Sequence, residues 1–170
     1  YYPFGNVKSQ ISRFDNTGNS ETYFEYDKAG NVIEQRVKNN GVGQAESYAV
    51  TRFEYDNWGR QTKVCSYDND QLVSEASVEY DWADRIVKQI KGENGSSVVG
   101  FEYDHMGNIV KKTDALGNVE TYTFDNAGRV ISSTDRNGAV HSIQYDVMGN
   151  PLVKTNTDGT QTITKTYTYD

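Results

Sequence analysis

The apolar and polar positions of this chain recur in short runs that end on an acid. Before Asp27, Asp56 and Asp81 come Phe24-Glu25-Tyr26, Phe53-Glu54-Tyr55 and Val78-Glu79-Tyr80. Before Asp104, Asp125 and Asp146 come Phe101-Glu102-Tyr103, Tyr122-Thr123-Phe124 and Ile143-Gln144-Tyr145, and Tyr167-Thr168-Tyr169 precedes Asp170 in the same way. Alternation of this kind has the period of a half-buried strand. It predicts incoming strands with one packed face, carrying the aromatics, and one wet face, carrying Glu25, Glu54, Glu79 and Glu102.

After each acid the chain is set to turn. Gly30, Gly59, Gly107, Gly128 and Gly149 stand three residues beyond Asp27, Asp56, Asp104, Asp125 and Asp146, each followed by Asn or Arg. A carboxylate in this place accepts a hydrogen bond from a backbone N–H two residues on, and glycine takes the left-handed conformation that closes the turn. These ten residues are therefore expected to build turns, with positive φ at Gly107 and Gly128. In the copy that starts at Asp81, Asp84 replaces the glycine, a place Asp tolerates better than most residues.

From Gly107 onward the turn glycines are Gly117, Gly128, Gly138, Gly149 and Gly159, at alternating steps of ten and eleven residues. That spacing has room for strand, turn, strand and turn, and none for a helix. The chain is predicted to be all-β, a run of tandem antiparallel hairpins of about 12–16 strands. Valine, isoleucine, threonine and aromatics fill the strand positions, and no segment shows a helical apolar stripe. Longer connections interrupt the rhythm at residues 38–48, with Asn40-Gly41 as a tight turn, and at Lys91–Ser96. Tyr67–Gln71 reads as a polar turn. Phe14–Asn19 reads as a turn of the repeat design, and Tyr1–Val7 as an imperfect copy with Tyr2 in the place of the acid. The chain begins and ends inside a repeat, so residues 1–170 read as one repeat segment cut from a longer protein. Open strand edges at such ends predict edge-to-edge pairing of copies.

Composition changes this picture little. Hydrophobic residues make up 35% of the chain, and there are 13 Tyr against 6 Phe. Tyrosine can cover apolar surface while its hydroxyl reaches water, which suits a partly covered sheet. The net charge of −7, with Lys and Arg scattered, argues against a nucleic-acid surface. No transmembrane run is present, so no membrane role is expected. The single Cys65 reads as a strand residue without chemistry.

The candidate chemistry is thin. Asp68-Asn69-Asp70 lacks the glycine and distal Glu of a calcium loop. His105 and His141 have no second histidine or cysteine beside them, a poor start for a metal site. Glu25, Glu54, Glu79 and Glu102 would form an acidic ladder if their strands were neighbours, facing water and solubilising the sheet. Asn94-Gly95-Ser96 matches a glycosylation acceptor, although an Asn-Gly turn accounts for it. No phosphate loop, serine elbow or metallohydrolase helix is present. No enzyme activity and no cofactor are expected.

The recurring Tyr-Asp-x-x-Gly-Asn/Arg, followed by β-branched residues and a second Asp-x-x-Gly-Asn turn, resembles the YD repeat of the Rhs family. The match is best from Phe101 to Val130, through Asp104, Gly107, Asp114, Gly117, Asp125 and Gly128. The resemblance implies a secreted or cell-surface protein whose repeats form a long sheet spiralling into a hollow shell, as in polymorphic toxins, insecticidal toxin complexes and teneurins. It implies adjacent repeats and an enclosed C-terminal effector as partners. The family's self-cleaving protease segment uses Asp-Pro motifs, and this chain has none, so no catalytic residue carries over. The competing reading is a carbohydrate or cell-surface binding module. Tyr48, Trp58, Tyr67 and Trp82 stand off the regular core positions, and Trp58 and Trp82, inside turns, are the candidate ligand contacts.

Overall fold

The computed structural model describes residues 8–14, 18–39, 47–92 and 95–170. Fourteen strands are hydrogen-bonded into one sheet whose order is chain order. They are β1 (Ser9–Phe14), β2 (Gly18–Tyr26), β3 (Val32–Asn39), β4 (Ser47–Tyr55), β5 (Gln61–Asp68), β6 (Gln71–Tyr80) and β7 (Ile86–Lys91), then β8 (Ser97–Tyr103), β9 (Ile109–Thr113), β10 (Val119–Phe124), β11 (Val130–Thr134), β12 (Val140–Tyr145), β13 (Pro151–Thr157) and β14 (Thr162–Thr166). No α-helix occurs among the described residues. The hairpin repeat expected from the turn spacing is the fold. The copy at Tyr1–Val7, the Asp15 turn, Asn40-Gly41 and Asn94 lie outside the described residues.

The chain divides into two compact units, Tyr1–Glu79 with Gln89–Ser96, and Tyr80–Lys88 with Ser97–Asp170. In the first, β2 to β5 pair antiparallel with long registers, from Ser20↔Asn39 to Tyr26↔Val32 and from Ala49↔Asp68 to Tyr55↔Gln61. Asn69 and Asp70, at φ 47° and 63°, close the β5–β6 hairpin, as the mirror-image turns that fit strand twist require. In the second unit β8 to β14 continue the antiparallel ladder, from Gly100↔Thr113 to Thr157↔Thr162.

Five of the copies also hold a feature the alternation hides. The register slips by one residue between the polar and the aromatic position: at Glu25/Tyr26, Glu54/Tyr55, Glu102/Tyr103, Thr123/Phe124 and Gln144/Tyr145. This is a β-bulge at a fixed place in the repeat. It bends the outgoing strand and raises the local twist just after the turn.

The division into a packed and a wet face needs correction in the first unit. Phe24, Tyr26, Phe53 and Tyr55 are half-buried, as expected of a single layer of sheet. The buried residues among those described are Val50, Cys65 and Glu34. All three lie on the other face, with Glu25 and Glu54: Glu34 is opposite Arg52, Arg52 opposite Cys65, and Val50 sits between Arg36 and Tyr67. Long side chains do the covering. The stems of arginine and the rings of tyrosine shield apolar and polar neighbours while their ends stay wet.

The acidic ladder does not form either. Incoming strands alternate with outgoing ones and are never neighbours. Glu54 is opposite Lys63, and Glu102 is opposite Lys111, whose ammonium lies 2.7 Å from it. Glu25 is opposite Glu34, which two arginines neutralise.

Candidate functional site

The repeated turn is the most developed constellation in the molecule. At Asp104 the backbone N–H donates to the Asn108 carbonyl over 3.0 Å, and the Gly107 N–H donates back to the Asp104 carbonyl over 3.2 Å. The Asp104 carboxylate is used at both oxygens. Oδ1 accepts from the N–H groups of Met106 and Asn108, each at 2.9 Å, and Oδ2 accepts from the Asn108 side-chain amide at 2.9 Å. Asp27 and Asp146 bond Asn31 and Asn150 in the same way. At Asp56, Asp81 and Asp125 an arginine replaces the asparagine, and Nε of Arg60, Arg85 or Arg129 reaches Oδ2 at 2.7 Å. Asn and Arg are interchangeable here because each offers a planar N–H donor at the same reach.

Gly30, Gly59, Gly107, Gly128 and Gly149 all have positive φ, from 76° to 95°, and Asp84 takes their place at 62°. A side-chain carbon at Gly107 would meet nothing within 4 Å, so the backbone angle alone calls for glycine. These bonds hold the turn carboxylates in the ionised form. The Asn108 amide is the largest influence on Asp104, against a smaller opposing effect of burial, and its pKa lies below the ordinary 3.8. Asp125 is lowered first by the Arg129 N–H.

The motif tyrosine completes a second constellation, which joins one repeat to the one before it. The hydroxyl of Tyr55 donates to the carbonyl of Val32 at 2.9 Å, Tyr103 to Ile86 at 2.7 Å, Tyr145 to Val130 at 3.1 Å and Tyr169 to Pro151 at 2.9 Å. The acceptor is each time the first residue after the Asn or Arg of the preceding turn. Tyrosine was expected here for the reach of its hydroxyl to water; the hydroxyl instead binds a neighbouring repeat. Where that turn ends in arginine, the guanidinium also lies over the tyrosine ring: Arg85 over Tyr103 at 4.6 Å and Arg129 over Tyr145 at 4.7 Å. Arg85 adds a bond to the Asp104 carbonyl at 3.0 Å.

A sequence model of the teneurin YD-shell matches residues 7–170. The chain belongs to the teneurin YD-shell family. This YD-shell chain is a sheet of tandem β-hairpin repeats. Among solved structures it is similar to the crystal structure of TcdB2-TccC3 without its hypervariable C-terminal region. The TM-score is 0.57 at 14% identity, over 98% of this chain and 12% of that one. It is also similar to the Photorhabdus luminescens Tc holotoxin pore, with TM-score 0.31 and 12% identity over 92% of this chain and 12% of that one. The chain thus spans about an eighth of the length of these structures' chains. None of the curated proteins matches it.

The remaining candidates are placed as follows. Trp58 is 80% exposed at its turn tip, with the Arg60 guanidinium 5.0 Å from its ring, and Trp82 is 92% exposed. His141 pairs with the Asn156 amide oxygen at 2.9 Å. Cys65 is buried, and burial is the main cause that pushes its thiol pKa up. Among the described residues no group of three or more His, Cys, Asp or Glu could hold a metal ion, and no helix is long and apolar enough to cross a membrane.

One network was not foreseen. The buried Glu34 accepts from Nε of Arg36 and, at 2.7 Å, from Nε of Arg52, whose guanidinium lies 4.8 Å over the Tyr67 ring. Burial alone would raise the Glu34 pKa; the bonds from Arg52 and Arg36 outweigh it and hold the group below its ordinary value. The sequence signal was weak: Glu34, Arg36 and Arg52 become neighbours through the β3–β4 register, across an interrupted repeat.

Proposed function

We propose that this YD-shell chain is one continuous segment, residues 1–170, of the wall of a larger β-shell in a secreted or cell-surface protein, and that the shell encloses an effector carried elsewhere in the parent chain. The observation that carries this reading is the tyrosine link. Each linked repeat donates a hydrogen bond into the backbone of the repeat before it, so the motif's chemistry goes into extending a sheet. On this reading Asp27, Gly30, Asp56, Gly59, Asp104, Gly107, Asp125, Gly128, Asp146 and Gly149 act as scaffold and none contacts a substrate. The likeness to a TcdB2-TccC3 structure named for a hypervariable C-terminal region supports a variable region elsewhere in the parent chain.

The test is limited proteolysis of the full parent protein. An enclosed domain resists protease at concentrations that digest the same domain expressed alone, and becomes sensitive when Tyr103→Phe and Tyr145→Phe loosen the wall. Equal sensitivity of the domain alone and within the parent would overturn the enclosure.

A further inference from the structure

The four YD turns of the second unit lie on one edge of the sheet. They are Asp81–Asp84, Asp104–Gly107, Asp125–Gly128 and Asp146–Gly149, and they join β6 to β7, β8 to β9, β10 to β11 and β12 to β13. In an antiparallel sheet whose strand order is chain order, alternate turns share an edge. Neighbours along this edge are two strands apart, about 10 Å. The Arg85 guanidinium ties the first of these turns to the second through the Asp104 carbonyl.

Each turn projects two residues beyond the strands. The second of them is apolar in all four turns: Ala83, Met106, Ala127 and Met148. Its backbone N–H donates to the turn carboxylate at 2.8–2.9 Å. Any residue but proline offers that bond, so the turn itself does not call for an apolar side chain. The first position adds Trp82 and Val147. All six are exposed, Met148 at 85% and Val147 fully. None of the tip residues on this edge is Asp, Glu, Lys or Arg, in a chain where 24% of residues are charged. The opposite edge is mixed, with Leu116 at one tip and Arg136 beside Asn137 at the next.

A row of separate apolar tips fits one kind of partner. A stable contact between folded proteins buries a continuous patch of roughly 800 Å² on each side. Here polar turns stand between the tips and break the row into small pieces. The interfacial layer of a bilayer is fluid, so each tip enters it separately and small gains add. Tryptophan is enriched in that layer. Arg85 and Arg129, bonded to Asp81 and Asp125 just behind the tips, limit the depth, because their charges stay among the headgroups. The net charge of −7 opposes anionic lipid and leaves zwitterionic lipid as the fitting surface.

We infer that the YD-turn edge of the second unit docks on zwitterionic phospholipid, with Trp82, Met106, Val147 and Met148 in the interfacial layer. The expectation of no membrane role rested on the lack of a spanning run, which docking by turn tips does not need. Trp82, a candidate ligand contact, is then a lipid contact. The inference does not depend on the shell enclosing anything.

The experiment follows tryptophan emission as phosphatidylcholine vesicles are added. Trp58→Phe leaves Trp82 as the one tryptophan of the chain. Its emission maximum moves to the blue saturably, and lipid brominated in the upper part of its acyl chains quenches it. In vesicle co-sedimentation, Trp82→Ala and Met148→Asp each weaken binding by about tenfold or more, while Leu116→Asp, on the opposite edge, leaves it unchanged. The shift and quenching in Trp58→Phe decide the matter if another variant fails to fold. No shift with phosphatidylcholine, binding only to vesicles that contain phosphatidylserine, or an equal loss in Leu116→Asp overturns the proposal. So does a blue shift that grows with protein concentration in the absence of lipid, which would mean that a second copy covers the tips.

Discussion

At the scale of the residue, the YD turn uses up its own polar groups. Both oxygens of Asp104 and both backbone groups that close the loop are bonded within it. Gly107, at φ 93° with open space around it, isolates the backbone effect from any clash. Gly107→Val is expected to cost about 1–2 kcal/mol, measured by denaturant unfolding. Gly107→Asp should cost less, because Asp84 occupies the equivalent place at φ 62°. Equal losses would show that the backbone angle is not what the position demands.

The turn carboxylates also set an acid limit. Asp27, Asp104, Asp125 and Asp146 all have pKa values lowered from the ordinary 3.8. A carboxyl that binds protons less readily when folded stabilises the fold above its unfolded pKa, and that stability is lost as pH falls through the folded value. The melting temperature should therefore be level from neutrality down to about pH 5 and decline below about pH 4. Asp104→Asn should weaken the decline. These turns were legible in the sequence because their bonds are local. The reason for Asn or Arg four residues after the acid was not, since it depends on an oxygen whose direction only the folded turn fixes.

At the scale of the element, the strands were legible and their coupling was not. Alternation marks each incoming strand and the glycine spacing marks each hairpin. The bulge opposite five of the motif aromatics leaves no trace in the alternation, because it adds its residue on the outgoing strand. The tyrosine link was hidden for a similar reason: its acceptor is a backbone carbonyl, such as Ile86 for Tyr103, which any residue could supply. Phe124 holds the motif place without a hydroxyl, and by the repeat rule its acceptor would be Ile109. Tyr103→Phe should lose about 0.5–1.5 kcal/mol and Phe124→Tyr should gain a similar amount, by denaturant unfolding. No gain from Phe124→Tyr would mean that the link does not extend to that pair of repeats.

At the scale of the whole molecule, the repeats build one sheet with little core. No side chain among those described is completely removed from solvent, so stability comes from hydrogen-bonded ladders, turns and tyrosine links more than from a core. Sequence reasoning reached the architecture and the family because the repeat is copied along the chain. It left a ladder of the wet-face acids open, conditional on their strands being neighbours, because it had no register. Lys63 and Lys111 face two of them, and the arginines around Glu34 make a surface of another kind. The most direct measurement of the central claim compares two triple variants by thermal melting followed in the far ultraviolet. Tyr55→Phe, Tyr103→Phe and Tyr145→Phe together should keep the β spectrum and lower the melting midpoint well beyond error. Glu25→Gln, Glu54→Gln and Glu102→Gln together should leave it in place. An unchanged midpoint in the tyrosine variant, or an equal fall in the glutamate variant, would contradict the claim that the motif residues hold the shell sheet together.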